Sequence, residues 1–135
     1  MATQTRKIQT LVVSLETKPG ALAHIYGAFR EENVNVLASW GYEMGPGQAQ
    51  AVLYPEDFTK AKKVLTQLGL KPTESYACYA TGDDKVGAYA ELLHKISKAG
   101  INLHATDAFS INGKWATVFF AEEKDLPTLC NALGC

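Results

Sequence analysis

The spacing of apolar residues changes several times along this chain, and each change predicts a new element. The run Ile8 to Glu16 favours a strand, and Tyr76 to Thr81 favours another. Each run is followed by a Gly-containing turn and then by apolar residues at i, i+3 and i+7, the spacing of an amphipathic helix. We expect these two helices to end near Asn33 and Gly100, because both residue types accept the backbone conformation that closes a helix.

The chain resembles itself when it is shifted by 67 residues. Lys18 to Tyr42 then falls on Lys85 to Phe109, with six identities in 25 positions and apolar residues at matching places. Beyond a shorter hairpin turn, Gln50 to Tyr54 falls on Ala116 to Phe120. The element order is therefore β-α-β-β-α, repeated, which with a fourth strand is the split βαβ arrangement.

This order predicts an α+β protein of two tandem ferredoxin-like units of the βαββαβ type, with helices on one face of antiparallel sheets. We expect the first unit to span residues 1–70 and the second to span residues 71–135. Two such units need eight strands, whereas only six strand-like runs are present. We therefore expect two long strands to serve both sheets. One is Lys71 to Thr81; the other is Thr5 to Glu16, whose N-terminal part would complete the second sheet.

Composition and charge exclude several classes of function. Thirteen basic residues against fourteen acidic residues leave a net charge of −1, and no basic run is present, so we expect no nucleic-acid and no membrane partner. The start, MATQTRKIQT, lacks the apolar core of a secretory signal, which favours a cytoplasmic protein. Cys78, Cys130 and Cys135 form no C-x-x-C pair, so we expect reduced thiols, no metal site and no cofactor.

The best local indication of a ligand site is the loop between the first strand and the first helix. Pro19 and Gly20 precede the helix, where Pro needs no N–H partner and Gly permits a close approach. The unpaired amides of a first helical turn suit a carboxylate, although a plain connection is the alternative. Asn35 and Asn102 follow the two helices at matching places. Strand alternation puts Asn35 on the uncovered face, as a ligand contact or as a solvated residue.

These residues together resemble the ACT domain. A strand, Lys-Pro-Gly-Ala-Leu-Ala, a helix and Asn-Val-Asn-Val are similar to that family's pattern, and the resemblance covers nearly the whole chain, once per half. The second half departs from the pattern, because Val86 stands where Pro is usual and Asp83-Asp84 precede it. The resemblance implies effector sites where the first strand–helix loop of one unit faces the second strand of a neighbour. Carried over by position, the ligand-binding candidates are Thr17, Gly20, Ala21, Leu22 and Asn35, with Asp84, Gly87, Ala88, Tyr89 and Asn102 as a second set.

The resemblance implies a regulatory module that binds a small-molecule effector, an amino acid, and that is not an enzyme. We also expect a homodimer, because open sheet edges and small units gain from pairing. Two alternatives remain open. The chain could be a regulatory subunit that docks to a metabolic enzyme without a ligand of its own. It could also be a small acylphosphatase-like enzyme, although Lys18 and Lys85 stand where that chemistry requires Arg, and no catalytic residues are identified.

Overall fold

The structure, a computed structural model, describes residues 3–135. Within them the order β-α-β-β-α occurs twice, so the α+β class predicted from the sequence is confirmed. The elements are β1 (Gln4–Leu15), α1 (Ala21–Glu31), β2 (Val36–Gly45), β3 (Gln48–Pro55), α2 (Phe58–Gln67), β4 (Thr73–Asp83), α3 (Ala88–Lys98), β5 (Leu103–Ile111), β6 (Lys114–Ala121), a 3₁₀ turn (Glu123–Asp125) and α4 (Leu126–Leu133).

Residues with left-handed backbone conformation mark both ends of α1 and α3. Gly20 and Gly87 precede the helices, each with φ 89° and ψ −4°, a conformation that glycine adopts without steric cost. Asn33 (φ 56°) and Gly100 (φ 73°) follow the helices and turn the chain toward the next strand. The helix ends expected near Asn33 and Gly100 are therefore confirmed.

The described strands form one six-stranded sheet in the order β2-β3-β1-β4-β6-β5. The expectation of two four-stranded sheets that share their long strands is corrected here: the strands belong to one sheet of six. The long strands β1 and β4, of 12 and 11 residues, are neighbours in this order, so the strands form a continuous sheet. Each hairpin, β2–β3 and β5–β6, is antiparallel and flanks this central pair.

The chain divides into two compact units whose boundaries fall inside the two long strands. The N-terminal unit is Gln9–Ser75, and the C-terminal unit is Tyr76–Cys135 together with the described part of Met1–Ile8. Each unit therefore contains a part of β1 and a part of β4. This division agrees with the strand sharing expected from the six strand-like runs.

The N-terminal part of β1 makes its side-chain contacts within the C-terminal unit. The Thr5 hydroxyl donates a hydrogen bond to the carbonyl of Leu133 at 2.9 Å. The Lys7 ammonium lies 4.5 Å from the ring centroid of Tyr76, a cation–π distance. Ile8 is 3% exposed. Through these contacts the N-terminal part of β1 belongs structurally to the C-terminal unit, together with Tyr76–Cys135.

Each unit has its own hydrophobic core between its helices and one face of its strands. Fully burying one large apolar side chain contributes about 1.5–3 kcal/mol, so these faces hold the helices in place. In the N-terminal unit the buried helix residues are Ile25, Phe29, Ala61, Val64 and Leu65. In the C-terminal unit they are Ala88, Leu92, Ile96, Leu126, Leu129 and Leu133.

Candidate ligand-binding site

A cavity of about 580 Å³ opens at the start of α1 in the N-terminal unit. Four of the five candidates in the first set line it. Its opposite wall includes Glu43 and Ala49, which face each other across β2 and β3. The four candidates are Thr17, Gly20, Ala21 and Leu22.

The first turn of α1 presents free amide groups to this cavity. The Ala21 amide makes only a long hydrogen bond, 3.4 Å, to the carbonyl of Lys18. The amides of Leu22 and Ala23 have no acceptor among the described residues, and Gly20 offers no side chain to cap them. Such amides, at the positive end of the helix dipole, suit a carboxylate or another anion.

An ion pair lies on the rim of this cavity. The Lys18 ammonium is 2.8 Å from the Glu16 carboxylate. Hydrogen bonding and charge from Lys18 lower the pKa of Glu16, and Glu16 in turn raises the pKa of Lys18. Both side chains are exposed, so the pair contributes little to stability, and Lys18 is free to reorient toward an incoming anion.

The C-terminal unit repeats the arrangement around the start of α3. A cavity of about 310 Å³ is lined there by four of the five candidates in the second set. Its opposite wall includes Ser110 and Trp115, which again face each other across a hairpin. The four candidates are Asp84, Gly87, Ala88 and Tyr89.

The second cavity is smaller because larger side chains stand around it. Trp115, 5% exposed, occupies the hairpin position that Ala49 holds in the first unit. Tyr89 replaces Leu22, and its hydroxyl is 2.7 Å from that of Thr106. The Tyr89 ring also stacks on Phe119, with centroids 6.0 Å apart. These contacts make the second site the narrower of the two.

The loop before α3 is tied to the hairpin by polar contacts. Asp83 and Lys114 are register partners of β4 and β6, and the Lys114 ammonium donates to the Asp83 carboxylate. This hydrogen bond lowers the pKa of Asp83 to about 2. The Asp84 amide donates to the carbonyl of Gly113 at 2.9 Å. Asp83 is therefore engaged with Lys114, whereas Asp84 is one of the residues that line the cavity.

Asn35 and Asn102 do not line the cavity of their own unit. Asn35 follows the C-terminal end of α1, and eleven helical residues, about 16 Å, separate it from Gly20. Its carbonyl accepts from the Glu56 amide at 2.8 Å, and its Nδ2 donates to the Glu56 carboxylate at 3.3 Å. Asn102 holds the matching place after α3. Their contribution to a site completed by a neighbour stays a prediction.

The hairpin walls are the part of the site that sequence reasoning missed. Glu43, Ala49, Ser110 and Trp115 are distant in sequence from the loops they face. The repeat held one indication of them: since Gln50 falls on Ala116, Ala49 falls on Trp115. A size change at one position of two matching halves is consistent with two sites of different volume.

Comparison of the sequence with protein-family models and with curated proteins gives no match. Solved structures do match over almost the whole chain. A protein from Bacteroides thetaiotaomicron, BT0572, is 21% identical with a TM-score of 0.85, and the match covers 96% of this chain and 88% of that one. The ligand-free regulatory subunit of aspartate kinase from Thermus thermophilus is 13% identical with a TM-score of 0.70, covering 99% and 95%. The regulatory subunit from Thermus flavus is 12% identical with a TM-score of 0.64, also covering 99% and 95%.

This chain has an ACT-type fold. The resemblance drawn from the loop and helix pattern is confirmed at the level of the fold by these regulatory subunits. At such identities the likeness establishes architecture alone, so any chemistry of the two candidate sites rests on the residues described above. No helix within residues 3–135 is long and apolar enough to cross a membrane.

Proposed function

We propose that this chain is a regulatory module, without catalytic activity of its own, that binds a free amino acid at the start of α1. The observation that supports this most directly is the pair of unpaired amides, Leu22 and Ala23, at the edge of a 580 Å³ cavity. That volume lies in the usual range for small-molecule sites, about 300–1,000 Å³.

The polar groups around the cavity fit both ends of an amino acid. The ligand carboxylate would accept hydrogen bonds from the amides of Leu22 and Ala23, and Lys18 would add positive charge at the rim. The ammonium group would donate to the carboxylate of Glu43 on the opposite wall. The side chain of the ligand would then extend over Ala49, where the small residue leaves room.

The second cavity suits a smaller ligand of the same class. Here the carboxylate that would accept from an ammonium group comes from the loop, at Asp84, rather than from the hairpin, where Ser110 stands. Trp115 removes the space that Ala49 leaves open. We therefore assign the amino acid to the first cavity and a smaller amino acid, or none, to the second.

The fold supports a regulatory role rather than an enzymatic one. The matching proteins from Thermus thermophilus and Thermus flavus are regulatory subunits of aspartate kinase. By analogy, the partner regulated by this chain would be a metabolic enzyme in the cytoplasm. The loops carry Lys18 and Lys85, not the Arg that acyl phosphate hydrolysis would require, which leaves the enzyme alternative without its key side chain.

A thermal-shift screen of the full chain against all proteinogenic amino acids tests the proposal. A ligand that binds only the folded state adds about 2.7 kcal/mol at 100 times its Kd, which gives a clear rise in Tm. Ala49→Trp should abolish the response to any amino acid that acts at the first cavity, because it installs there the residue that narrows the second. Glu43→Gln should weaken binding by removing the ammonium partner.

The control is Glu32→Gln, which removes the same charge from an exposed residue at the other end of α1. It should bind as the wild type does. A screen without any response, or an Ala49→Trp variant that responds as the wild type does, would contradict the proposal. Turnover of an acyl phosphate by the purified chain would instead establish an enzyme.

A further inference from the structure

Three cysteines that are far apart in sequence meet in the C-terminal unit. Cys78 lies on β4, Cys130 on α4, and Cys135 just beyond the end of α4. The Cys78 and Cys130 sulfurs are 3.0 Å apart, and the Cys78 and Cys135 sulfurs are 3.9 Å apart. All three sulfurs lie within 4.8 Å of one another.

The end of α4 holds this cluster in place. Gly134 takes a left-handed conformation with φ 85° and ψ 25°, and this turns the chain back over the last helical turn. The amide of Cys135 then donates to the carbonyl of Cys130 at 2.9 Å. The carbonyl of Leu133 accepts from the Thr5 hydroxyl at 2.9 Å, which ties the same turn to β1. The turn at Gly134 thus holds the backbones of Cys130 and Cys135 close together.

Packing of α4 against the core brings Cys130 and Cys135 close to Cys78 on β4. Leu126, Leu129 and Leu133 are buried in the core of the C-terminal unit, which also contains Cys78. Cys78 is completely buried, Cys130 is partly buried and Cys135 is exposed. Cys135 is therefore the member of the cluster that is most accessible to solvent.

One of the two measured sulfur separations matches the spacing around a bound metal ion, and the other is close to it. With metal–sulfur bonds of about 2.3 Å, sulfurs that share one ion lie about 3.8–4.0 Å apart. The 3.9 Å separation already has this value, and the 3.0 Å separation needs an opening of about 1 Å. A disulfide joins only two cysteines, so it would leave the third thiol of this cluster without a role. Among the described residues no His, Asp or Glu joins the cluster.

We propose that Cys78, Cys130 and Cys135 form a site for one thiophilic d¹⁰ cation, the class that includes Zn²⁺ and Cu⁺. Soft thiolate ligands select such ions. On binding, three S–H groups release their protons to solvent and three sulfur–metal bonds form, with no change of oxidation state. A three-coordinate ion is complete with these ligands, and Zn²⁺ would add one water molecule on the side of Cys135.

Metal titration of the reduced full chain under anaerobic conditions tests the site. Zn²⁺ is titrated in competition with a chromophoric chelator, Cu⁺ is titrated in a separate arm, and Cd²⁺ reports thiolate ligation through its ultraviolet charge-transfer band. We expect one ion per chain, proton release on binding and an affinity that rises with pH. The ion that binds with the higher affinity in these titrations is the one that the site prefers.

Cys135→Ser is the decisive variant, because Cys135 is exposed and its loss leaves the core intact. It should lower the affinity by more than about tenfold, since even residues that only support a metal ligand contribute that much. Asn131→Ser, at the exposed neighbour of Cys130, is the matched control and should bind as the wild type does.

Two results would overturn the proposal. The first is a reduced, folded chain that takes up neither Zn²⁺ nor Cu⁺ in a ratio of one per chain. The second is a Cys135→Ser variant, folded by circular dichroism, that retains wild-type affinity. A chain that binds no metal but forms a Cys78–Cys130 disulfide in air, seen as a loss of two mass units, would identify a redox pair instead.

Discussion

At the scale of single residues, the backbone of Gly20 and Gly87 shapes the two candidate sites. Both glycines have φ 89°, and a Cβ added at either would meet no atom within 4 Å. The requirement for glycine is therefore conformational rather than steric. Most residues with a side chain cost about 1–2 kcal/mol in this region of φ.

We predict that Gly20→Ala lowers the free energy of unfolding by about 1–2 kcal/mol, because alanine disfavours positive φ. Gly27→Ala is the matched control. Gly27 lies inside α1, and its added Cβ would also meet no atom within 4 Å, so this variant should gain about 0.5–1 kcal/mol. Urea denaturation with an unchanged m-value measures both. Equal stabilities of the two variants would show that the loop before α1 does not require its observed conformation.

The sequence predicts local residues of the site better than distant ones. Gly20 and Gly87 were identified because turn chemistry depends on adjacent residues. Ala49 and Trp115 were missed, because their place opposite the loops is set by strand pairing. The cysteine cluster was missed for a related reason: Cys78 and Cys130 are 52 residues apart, and no short motif connects them.

At the scale of elements, the two long strands β1 and β4 each contribute residues to both units. The count of strand-like runs was enough to predict that β1 and β4 serve both units. The continuous sheet was not predicted, because the alternation of side chains along a strand does not specify the neighbouring strand. Asn35 lies just before β2, and α1 separates it from the loop of its own unit, so its part in a site completed by a neighbour stays a prediction.

We predict that a chain beginning at Gln9 is destabilised mainly in its C-terminal unit. The deletion removes buried Ile8 and the hydrogen bond from Thr5 to Leu133. Their loss corresponds to about 2–4 kcal/mol from apolar burial and hydrogen bonding together. Hydrogen exchange should therefore accelerate far more in β4 and α4 than in β3 and α2.

Thr5→Val is the control for this deletion, because it removes the hydrogen bonding of the Thr5 hydroxyl but keeps buried Ile8, and it should cost about 0.5–1.5 kcal/mol. Uniform acceleration of exchange along the truncated chain, or acceleration confined to Gln9–Ser75, would contradict the assignment of the first strand. The division into a first unit of residues 1–70 and a second unit of residues 71–135 stays a prediction, and because the long strands are shared we expect that neither half folds alone: a soluble, cooperatively unfolding fragment would contradict this. Expression of the fragment 1–70 tests it directly.

At the scale of the whole molecule, the strands at the two ends of the sheet order carry exposed apolar side chains. On β2, Leu37 and Met44 are 49% and 54% exposed, and on β5, Phe109 and Ile111 are 59% and 64% exposed. Exposed apolar edge strands are sites of pairing with another chain. They support the homodimer expected from the small size of the units.

We predict a mass of about twice 14.6 kDa by light scattering. A lysine on an edge strand opposes pairing, so Leu37→Lys or Ile111→Lys should shift the equilibrium toward the monomer and thereby identify the paired edge. Gln67→Lys places the same charge on exposed helix surface and should leave the mass unchanged. A monomer mass at all accessible concentrations would rule out the dimer.

For the whole molecule, the fold alone does not determine the function. The ACT-type fold is common to this chain and to aspartate kinase regulatory subunits, but a shared architecture does not specify a ligand. What this chain adds is its own set of groups: the amides of Leu22 and Ala23, the carboxylate of Glu43 and the space over Ala49. The central claim is that an amino acid binds to these groups in the cavity at the start of α1.

The most direct test is a titration of the ¹⁵N-labelled full chain with each proteinogenic amino acid, followed by amide chemical shifts. A ligand carboxylate that accepts from the first turn of α1 should move the Leu22 and Ala23 amide resonances most and in a saturable way. The same amino acid should leave those resonances unmoved in the Ala49→Trp variant. Shifts that saturate elsewhere in the chain while Leu22 and Ala23 stay in place, or no saturable shift with any amino acid, would contradict the claim.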